Sequence, residues 1–361
     1  MLHVVVAGGG TAGHIEPALN LADEIMRRHP DAKVTALGTA KGLEVDLIPA
    51  RGYDLKLIPA APLPRKLSLD LFLLPIRLRI AIAETRAVLR ELNADVLIGF
   101  GGYVSIPAYL AARGRMPIIV HEANAKPGLA NRVGAQFAAA VAESVSGSMS
   151  TAINTGIPLR AAIANLDRAK LRAEARAHFG ITNDNPTLLV FGGSQGAQSI
   201  NRVIEQAKAQ GLVEEITIIH AVGKKNDFAF PKSANYFPLN YIDRMDLAYA
   251  AADFVIARSG AMSVAEISAV GLPACFIPLP IGNGEQRVNA LPVVEAGGAI
   301  LIDNADFDVA ALVNQVLPIL NSPAQITSFS LASKSCGRQD ASSRLADVVD
   351  HVVEQATKKV N

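Results

Sequence analysis

The sequence predicts an α/β protein built from two doubly wound parallel-sheet domains. Short apolar runs alternate with helical patterns along the chain, which is typical of parallel sheets covered by helices on both faces. Two glycine-rich turns take equivalent places: Gly8–Gly13 follows the run Val4–Ala7, and Gly192–Ala197 follows Leu188–Phe191. A chain of 361 residues is long for one hydrophobic core and suits two.

Composition and charge are typical of a globular protein and do not indicate nucleic-acid binding. Hydrophobic residues make up 50% of the chain and charged residues 19%, so we expect extensive burial. The net charge of +1 predicts no nucleic-acid partner. Cys275 and Cys336 are too few for a disulfide framework, and no basic, cleavable segment begins the chain, so we expect a cytoplasmic location.

Twelve runs of apolar and β-branched residues are predicted strands, six in each domain. The strands of the first domain span residues 2–7, 33–37, 54–58, 95–99, 118–120 and 138–142. Those of the second domain span residues 187–191, 216–220, 235–237, 254–256, 274–277 and 299–302. Because ligands bind beyond the carboxyl ends of such strands, we expect the loops at these ends to face one cleft.

The domain boundary is expected near Pro158, which discourages a continuing helix. We therefore assign residues 1–157 to the first domain and 158–337 to the second. A helix over Arg168–Phe179 introduces the second domain. After Pro323 the pattern is helical to the end, and the apolar face of the last helix, about residues 338–361, would let it pack back on the first domain.

The first glycine turn matches the G-x-G-x-x-G fingerprint of dinucleotide sites, between a strand and a helix that we expect to begin near Ile15–Pro17. The fingerprint also requires an acidic residue at the end of the second strand, where this chain has Gly38, so an NAD site is disfavoured. His14 stands near the same helix start, where the amide dipoles favour a neutral imidazole. It is a candidate proton acceptor, and the alternative is a hydrogen-bonding histidine at the helix cap.

Two further strand ends in the first domain carry polar or glycine-rich loops. Gly101–Ser105 follows a strand and precedes a helix, so it is a second candidate phosphate cradle or simply a tight turn. The run His121–Asn124 places three polar side chains at the edge of the expected cleft. Asn124 is either a ligand contact or the cap of a helix near Pro127.

The second domain offers groups suited to a pyrophosphate, a ribose and sugar hydroxyls. Ser194 and Arg160 are able to donate to a pyrophosphate, the alternatives being a helix-capping serine and a solvated arginine. Glu266 is a candidate for a ribose diol, or an ordinary surface glutamate. Glu285 and Gln286 offer acceptors and donors for sugar hydroxyls.

Metal and nucleophile motifs are not found. Asp306 and Asp308 form a nominal Asp-x-Asp motif, but they directly precede a predicted helix over residues 309–320. Acidic side chains are favoured at the positive end of a helix dipole, which explains them without a metal. No histidine pair has zinc spacing, and no Gly-x-Ser-x-Gly elbow or Walker lysine occurs. We expect chemistry that uses helix ends and a proton acceptor, without a metal.

The stretch Leu67–Leu89 is interrupted by charged residues and does not predict a membrane span. Its cluster of Leu, Phe and Ile is suited to lying on a bilayer, as in interfacial helices. The alternative is an amphipathic helix packed on a sheet. The flanking basic residues are Arg65, Lys66, Arg77 and Arg79.

Five motifs, in order and in register, resemble the MurG family of bacterial glycosyltransferases over residues 1 to about 335. They are Gly8–His14, Gly101–Ser105, His121–Asn124, Gly192–Ala197 and Arg258–Ala261. The resemblance implies the GT-B fold and inverting, metal-independent transfer without a cofactor. The implied substrates are the donor UDP-GlcNAc and the acceptor lipid I, an undecaprenyl-diphosphate-linked muramyl pentapeptide, and the product is lipid II.

The resemblance also implies roles for individual residues of the second domain. The backbone of Ile242 would contact uracil and Glu266 the ribose. Ser194 would hold the diphosphate together with the helix start Ala261, Met262 and Ser263. Gln286 would contact a sugar hydroxyl, whereas Glu285 departs from the two glutamines of many members.

In the first domain, Asn124 would approach the donor, as would Arg160 from the linker. Thr11, Ala12, Gly13 and His14 would lie where the donor sugar meets the acceptor, with His14 as the base. A lipid acceptor favours peripheral contact of Leu67–Ile80 with the cytoplasmic face of the membrane. A UDP-sugar epimerase of the same fold, an NAD-dependent oxidoreductase and a non-catalytic nucleotide-sugar sensor are the alternatives.

Overall fold

The structure, a computed structural model, describes residues 1–60, 69–193, 196–224, 226, 229–281 and 283–360. Contacts divide the chain into two compact units. Unit 1 comprises Met1–Leu159 with Asp340–Asn361, and unit 2 comprises Arg160–Gln339. Each unit has its own parallel sheet, so the predicted α/β class with two doubly wound domains is confirmed.

Unit 1 is a parallel sheet with helices on both faces. Its strands are β1 (His3–Gly8), β2 (Lys33–Gly38), β3 (Asp54–Leu57), β4 (Val96–Gly101), β5 (Ile118–Glu122), β6 (Ala140–Glu143) and β7 (Ile153–Asn154). Its helices are α1 (Ala12–Arg28), α2 (Glu44–Ala50), α3 (Leu69–Leu92), α4 (Ser105–Ala112), α5 (Leu129–Ala135) and, from the end of the chain, α15 (Ala341–Val360). The strand order is β3-β2-β1-β4-β5-β6-β7. One face packs on α1 and α15, and the other on α3 and α4.

Unit 2 repeats this architecture with a sheet of six strands. They are β8 (Thr187–Phe191), β9 (Thr217–Ala221), β10 (Tyr236–Leu239), β11 (Phe254–Ala257), β12 (Ala274–Phe276) and β13 (Ala299–Leu301), in the order β10-β9-β8-β11-β12-β13. Its helices are α6 (Ala161–Ala164), α7 (Arg168–Phe179), α8 (Gln198–Ala209), α9 (Met245–Ala251), α10 (Ala261–Ala269), α11 (Glu285–Glu295), α12 (Val309–Ala311), α13 (Leu317–Leu320) and α14 (Pro323–Cys336). A π-helical turn, Leu312–Val316, joins α12 to α13.

All twelve predicted strands are confirmed within two residues at each end. The expected start of the first helix near Ile15 is wrong, because Thr11 has extended backbone (φ −138°, ψ 153°) and caps a helix that begins at Ala12. The continuous helix expected after Pro323 is also wrong. It is interrupted at Gly337, where an added Cβ would lie 2.5 Å from the Ser268 carbonyl oxygen.

Helix α15 packs against α1 and completes the core of unit 1. Leu345, Val349 and Val352 are buried there. Arg28, at the end of α1, binds α15 through Asp347 (Nη1 to Oδ1, 2.6 Å) and the carbonyl oxygen of Ser343 (2.7 Å). Both ends of the chain therefore belong to the same compact unit.

Among the described residues, no helix is both long enough and apolar enough to span a membrane.

Candidate active site

Three turns of unit 1 follow the neighbouring strands β1, β4 and β5 at the carboxyl edge of the sheet. The first two pack so closely that a Cβ on Gly102 would lie 2.2 Å from the Gly9 carbonyl oxygen. A Cβ on Gly10, whose φ is +90°, would lie 2.6 Å from the ring of Tyr103. Contacts within the protein therefore require these glycines, which is a different reason from the ligand approach expected from the sequence.

His14 lies in the first turn of α1, half-buried beside these glycines. Its Nδ1 is 3.2 Å from the Gly9 carbonyl oxygen and 3.2 Å from the Thr11 hydroxyl. Since a carbonyl oxygen only accepts, this contact assigns the proton of the neutral ring to Nδ1 and leaves the Nε2 lone pair to accept a proton. Desolvation lowers the pKa of His14 below its usual value, partly offset by the Gly9 hydrogen bond and the charge of Glu122.

The other predicted residues of this turn directly precede His14 in the chain. Thr11 is the N-cap of α1 and is exposed, and Ala12 and Gly13 are its first two residues. A Cβ on Gly13 would meet its nearest neighbour, the Thr11 hydroxyl oxygen, at 3.7 Å, which is ordinary contact. The helix start therefore has room on its outer side.

Glu122, at the end of β5, is buried and organises the loop that follows. It accepts hydrogen bonds from the backbone N–H groups of Asn124 (2.9 Å) and Gly128 (3.0 Å), and from Nδ2 of Asn131 (2.9 Å). The Asn124 amide also donates to Glu122, at 3.3 Å, and Gly128 is the N-cap of α5. The alternative interpretation of Asn124 as a helix cap is therefore wrong.

Of the three polar side chains expected at this edge, two are buried. His121 is fully buried and its Nε2 lies 2.8 Å from the Gly156 carbonyl oxygen, which also belongs to unit 1. Burial lowers the pKa of His121, so the ring is a neutral structural group. Asn124 alone of the three is half-exposed.

Sequence reasoning missed Glu44, a fully buried carboxylate under the first glycine turn. It accepts a hydrogen bond from the Gly10 backbone N–H at 3.3 Å. The two residues are 34 positions apart and no motif connects them. The local signal was weak: the chain has glycines at positions 38 and 42, where a side chain would overlap Glu44.

In unit 2, helix α10 has an open start. Its N-cap, Gly260, follows β11 closely, and a Cβ on Gly260 would meet no described atom within 4 Å. Ala261, Met262 and Ser263 form the first turn and are half-buried. Because the N-cap has no side chain, the first N–H groups of the helix are left for a ligand, and such groups favour anions.

Glu266 lies on α10 one turn further on and is not the surface glutamate of the alternative interpretation. It is 7% exposed, accepts a hydrogen bond from the Tyr249 hydroxyl at 2.9 Å, and lies 3.6 Å from Nη2 of Arg160. The predicted site residues Arg160 and Glu266 are therefore brought together, and Tyr249 is a partner that the sequence did not indicate.

Arg258, which follows β11, contacts one further loop and helix α8. The buried guanidinium donates to the carbonyl oxygens of Ile277 (3.0 Å) and Pro278 (3.2 Å), and to the Ser199 hydroxyl (2.8 Å) on α8. Burial lowers its pKa. Arg258 therefore holds the loop before α11 against the helix that follows the second glycine turn.

Gln286 and Glu285 begin α11. Gln286 accepts from the Leu279 backbone N–H through Oε1 (2.9 Å), which leaves its amide N–H groups as the donors it can offer a ligand. Glu285 exchanges hydrogen bonds with Asn283: its carboxylate accepts from the Asn283 N–H (3.1 Å) and its own N–H donates to the Asn283 side chain (3.1 Å). Glu285 is thus engaged with Asn283 at the start of α11.

The remaining predicted residues of unit 2 are Ile242 and Ser194. Ile242 follows β10 and is 5% exposed, next to the exposed Tyr241. Ser194 lies outside the described residues. A Cβ on the preceding Gly193 would meet no described atom within 4 Å.

Two doubly wound units with polar groups and an open helix start at the carboxyl ends of their strands are the architecture of the GT-B class of glycosyltransferases. The family model of the glycosyltransferase family 28 N-terminal domain matches residues 4–143, and that of the C-terminal domain matches residues 187–350. The chain belongs to glycosyltransferase family 28.

Curated relatives match over the full length. A protein of Mycolicibacterium smegmatis is 52% identical, covering 100% of this chain and 96% of the relative. One of Streptomyces coelicolor is 53% identical, covering 99% and 100%. Both are named UDP-N-acetylglucosamine–N-acetylmuramyl-(pentapeptide) pyrophosphoryl-undecaprenol N-acetylglucosamine transferase.

Solved structures share the fold. MurG of Acinetobacter baumannii has a TM-score of 0.78 and 26% identity, covering 97% of this chain and 100% of that one. The glycosyltransferase of kitacinnamycin has a TM-score of 0.70 and 17% identity, covering 97% and 99%, and shows the fold alone.

Proposed function

We propose that this protein transfers N-acetylglucosamine from UDP-GlcNAc to the C4 hydroxyl of the muramyl sugar of lipid I, with inversion, and so forms lipid II. The observation that carries the proposal is full-length identity of 52% to a relative named for this transfer. Neither the epimerase nor the oxidoreductase alternative has comparable support.

Unit 2 is the proposed donor site. The open start of α10, with the N–H groups that follow Gly260, suits the diphosphate. Glu266, which accepts from Tyr249 and lies near Arg160, would contact the ribose hydroxyls. The backbone of Ile242 would contact uracil. Gln286 would contact a sugar hydroxyl, and Ser194 would contact the diphosphate. Arg160 would balance the charge that develops on departing UDP.

Unit 1 is the proposed acceptor site, with His14 as the base and Asn124 at its edge. The attacking C4 hydroxyl gives its proton to Nε2 of His14 while its oxygen bonds to the anomeric carbon, and the bond from that carbon to the diphosphate oxygen breaks. A neutral His14 with its proton on Nδ1 is the form this step requires. Thr11, Ala12 and Gly13 would line the sugar at this point.

A direct assay tests the proposal. Radiolabelled UDP-GlcNAc and lipid I should give labelled lipid II, with release of UDP. Epimerisation at C2 of the donor, or reduction of a nicotinamide, would select a rival enzyme. Donor binding without any turnover would select a nucleotide-sugar sensor.

We further propose that α3 contacts the cytoplasmic face of the membrane that holds lipid I. Leu73, Ile76 and Ile80 are 47%, 56% and 49% exposed and recur at the spacing of one helix face. The exposed Arg77 and Arg79 lie among them, the combination that interfacial helices use with anionic lipids. Arg65 and Lys66, also expected to contribute, lie outside the described residues.

Vesicle sedimentation tests this contact. Wild-type protein should bind vesicles with anionic phosphatidylglycerol at low salt, and less at high salt. The triple variant Leu73→Ser, Ile76→Ser, Ile80→Ser should lose binding. Leu331→Ser, which removes an apolar side chain that is 68% exposed on α14 of unit 2, is the control and should bind as the wild type does. Equal loss in both variants would contradict the proposal.

A further inference from the structure

Glu44, the first residue of α2, is fully buried in unit 1. Two glycines make room for it: a Cβ on Gly38 would lie 2.4 Å from its Cγ, and a Cβ on Gly42 would lie 2.0 Å from its Oε2. Burying a carboxylate is costly unless its oxygens accept hydrogen bonds, so its donors indicate what it serves.

Those donors come from three segments, which follow β1, β2 and β4. Oε1 accepts from the Thr39 backbone N–H (2.9 Å) and hydroxyl (3.0 Å), and the Tyr103 hydroxyl lies 3.5 Å away. Oε2 accepts from the Gly10 backbone N–H (3.3 Å). All these partners donate, and a carboxylate is the side chain that only accepts.

The contact to Gly10 leads directly to His14. The N–H of Gly10 and the C=O of Gly9 belong to one peptide group, which is planar and holds the two bonds in opposite directions. The N–H end is fixed by Glu44 at 3.3 Å, and the oxygen end accepts from Nδ1 of His14 at 3.2 Å. One rigid peptide therefore joins the carboxylate to the imidazole.

We propose that Glu44 is a positioning residue for His14, acting through the Gly9–Gly10 peptide. By anchoring this peptide, Glu44 aims the Gly9 carbonyl at His14, which keeps the ring proton on Nδ1 and leaves Nε2 to take the proton of the attacking hydroxyl. The inference rests on the proposed function, in which His14 is the base. A buried acid that orients a catalytic histidine is a common arrangement, here with a peptide group between the two.

Glu44→Gln is the discriminating variant. Its amide oxygen can stay with the two donors of Thr39, which places the amide N–H2 against the Gly10 N–H, donor against donor. We expect kcat to fall about 10-fold or more, as for other residues that orient a functional group indirectly. Affinity for UDP-GlcNAc, which unit 2 would bind, should change by less than about twofold.

Thr39→Val is the matched control. It removes one hydroxyl donor from the same carboxylate and keeps the Gly10 contact. Its kcat should stay within about twofold of the wild type, since the Gly9–Gly10 peptide remains anchored. A loss of kcat as large as that of Glu44→Gln would overturn the inference, because general loosening around Glu44 would then explain both.

Two further measurements separate positioning from mere stability. In a His14→Ala background, Glu44→Gln should cause no further loss of turnover, because its effect passes through the missing ring. Nitrogen-15 NMR of histidine-labelled protein should show His14 protonated on Nδ1 in the wild type and in Thr39→Val, and a mixture of tautomers in Glu44→Gln.

The inference is overturned if Glu44→Gln retains wild-type kcat or a pure Nδ1 tautomer, or if it lowers turnover equally with and without His14. Should Glu44→Gln fail to fold, Glu44→Asp, whose shorter side chain withdraws from Gly10, is judged by the same spectra. The spectra need no substrate, so they test the role of Glu44 even if the wild type fails to make lipid II. That failure would contradict the proposed function and not the role of Glu44.

Discussion

Gly260→Ala, at the start of α10, should weaken UDP binding strongly while lowering the free energy of unfolding only a little. In the protein alone the added methyl group has room, because no described atom lies within 4 Å of its Cβ and φ is −61°. Alanine is a poorer N-cap than glycine, so we expect a loss of about 0.5–1 kcal/mol in the free energy of unfolding. With a diphosphate at the helix start, the same methyl group would occupy the ligand's place.

If the methyl group keeps the phosphate from one helix N–H, the complex loses a hydrogen bond to a charged group, which is worth about 1.5–3 kcal/mol. This loss raises the Kd for UDP about 10- to 100-fold. Isothermal titration with UDP measures this loss, and urea unfolding measures stability. Gly13→Ala is the control, since its Cβ is also accommodated, with 3.7 Å to the nearest atom, but lies in unit 1. Its UDP affinity should match the wild type.

Two results would refute the reasoning. If Gly260→Ala binds UDP as the wild type does, the diphosphate is not held at this helix start. If the variant loses more than about 2 kcal/mol of stability, the space beside Gly260 is not free in the protein.

Three further predictions concern His14, Glu266 and Arg28. His14 must be neutral to act as a base, and desolvation lowers its pKa. We therefore expect kcat to stay level as the pH falls to about 6.5 and to decline only below that pH. A decline that begins above pH 6.5, or one that persists in His14→Ala, would contradict the assignment. Glu266→Gln should weaken UDP binding about 10-fold but 2′-deoxy-UDP binding less, whereas an equal loss for both ligands in calorimetry would remove Glu266 from the ribose. Arg28→Ala should lower the free energy of urea unfolding by about 1.5–3 kcal/mol, because it loses the contacts with α15. UDP affinity should stay unchanged, and an unchanged free energy of unfolding would contradict the role given to these contacts.

The sequence was sufficient for the sheets because their strands are short continuous apolar runs. Thr187–Phe191 is such a run, buried at every position, and its limits were predicted without error. Helix α7 was equally well defined, since Asp167 caps its start and Gly180, at φ +78°, ends it. These signals are local, so they can be read from neighbouring residues.

The failures concern contacts between distant residues. Gly337, just after the end of α14, lies against the backbone of Ser268, and the buried Glu266 accepts a hydrogen bond from Tyr249, 17 positions earlier and on another helix. Glu44, which follows β2, contacts Gly10, which follows the neighbouring strand β1. No spacing rule encodes such pairs, because the fold and not the chain brings them together.

The attachment of α15 to α1 has a consequence for biosynthesis. A ribosome delivers the strands of unit 1 first, then the whole of unit 2, and only afterwards the helix that packs against α1. During that interval unit 1 is an unfinished layer with part of its apolar surface uncovered, while unit 2 can already fold as a continuous segment. The half of the enzyme translated earliest is thus the last to mature, and a nascent chain stalled before Asp340 would expose that surface to chaperones.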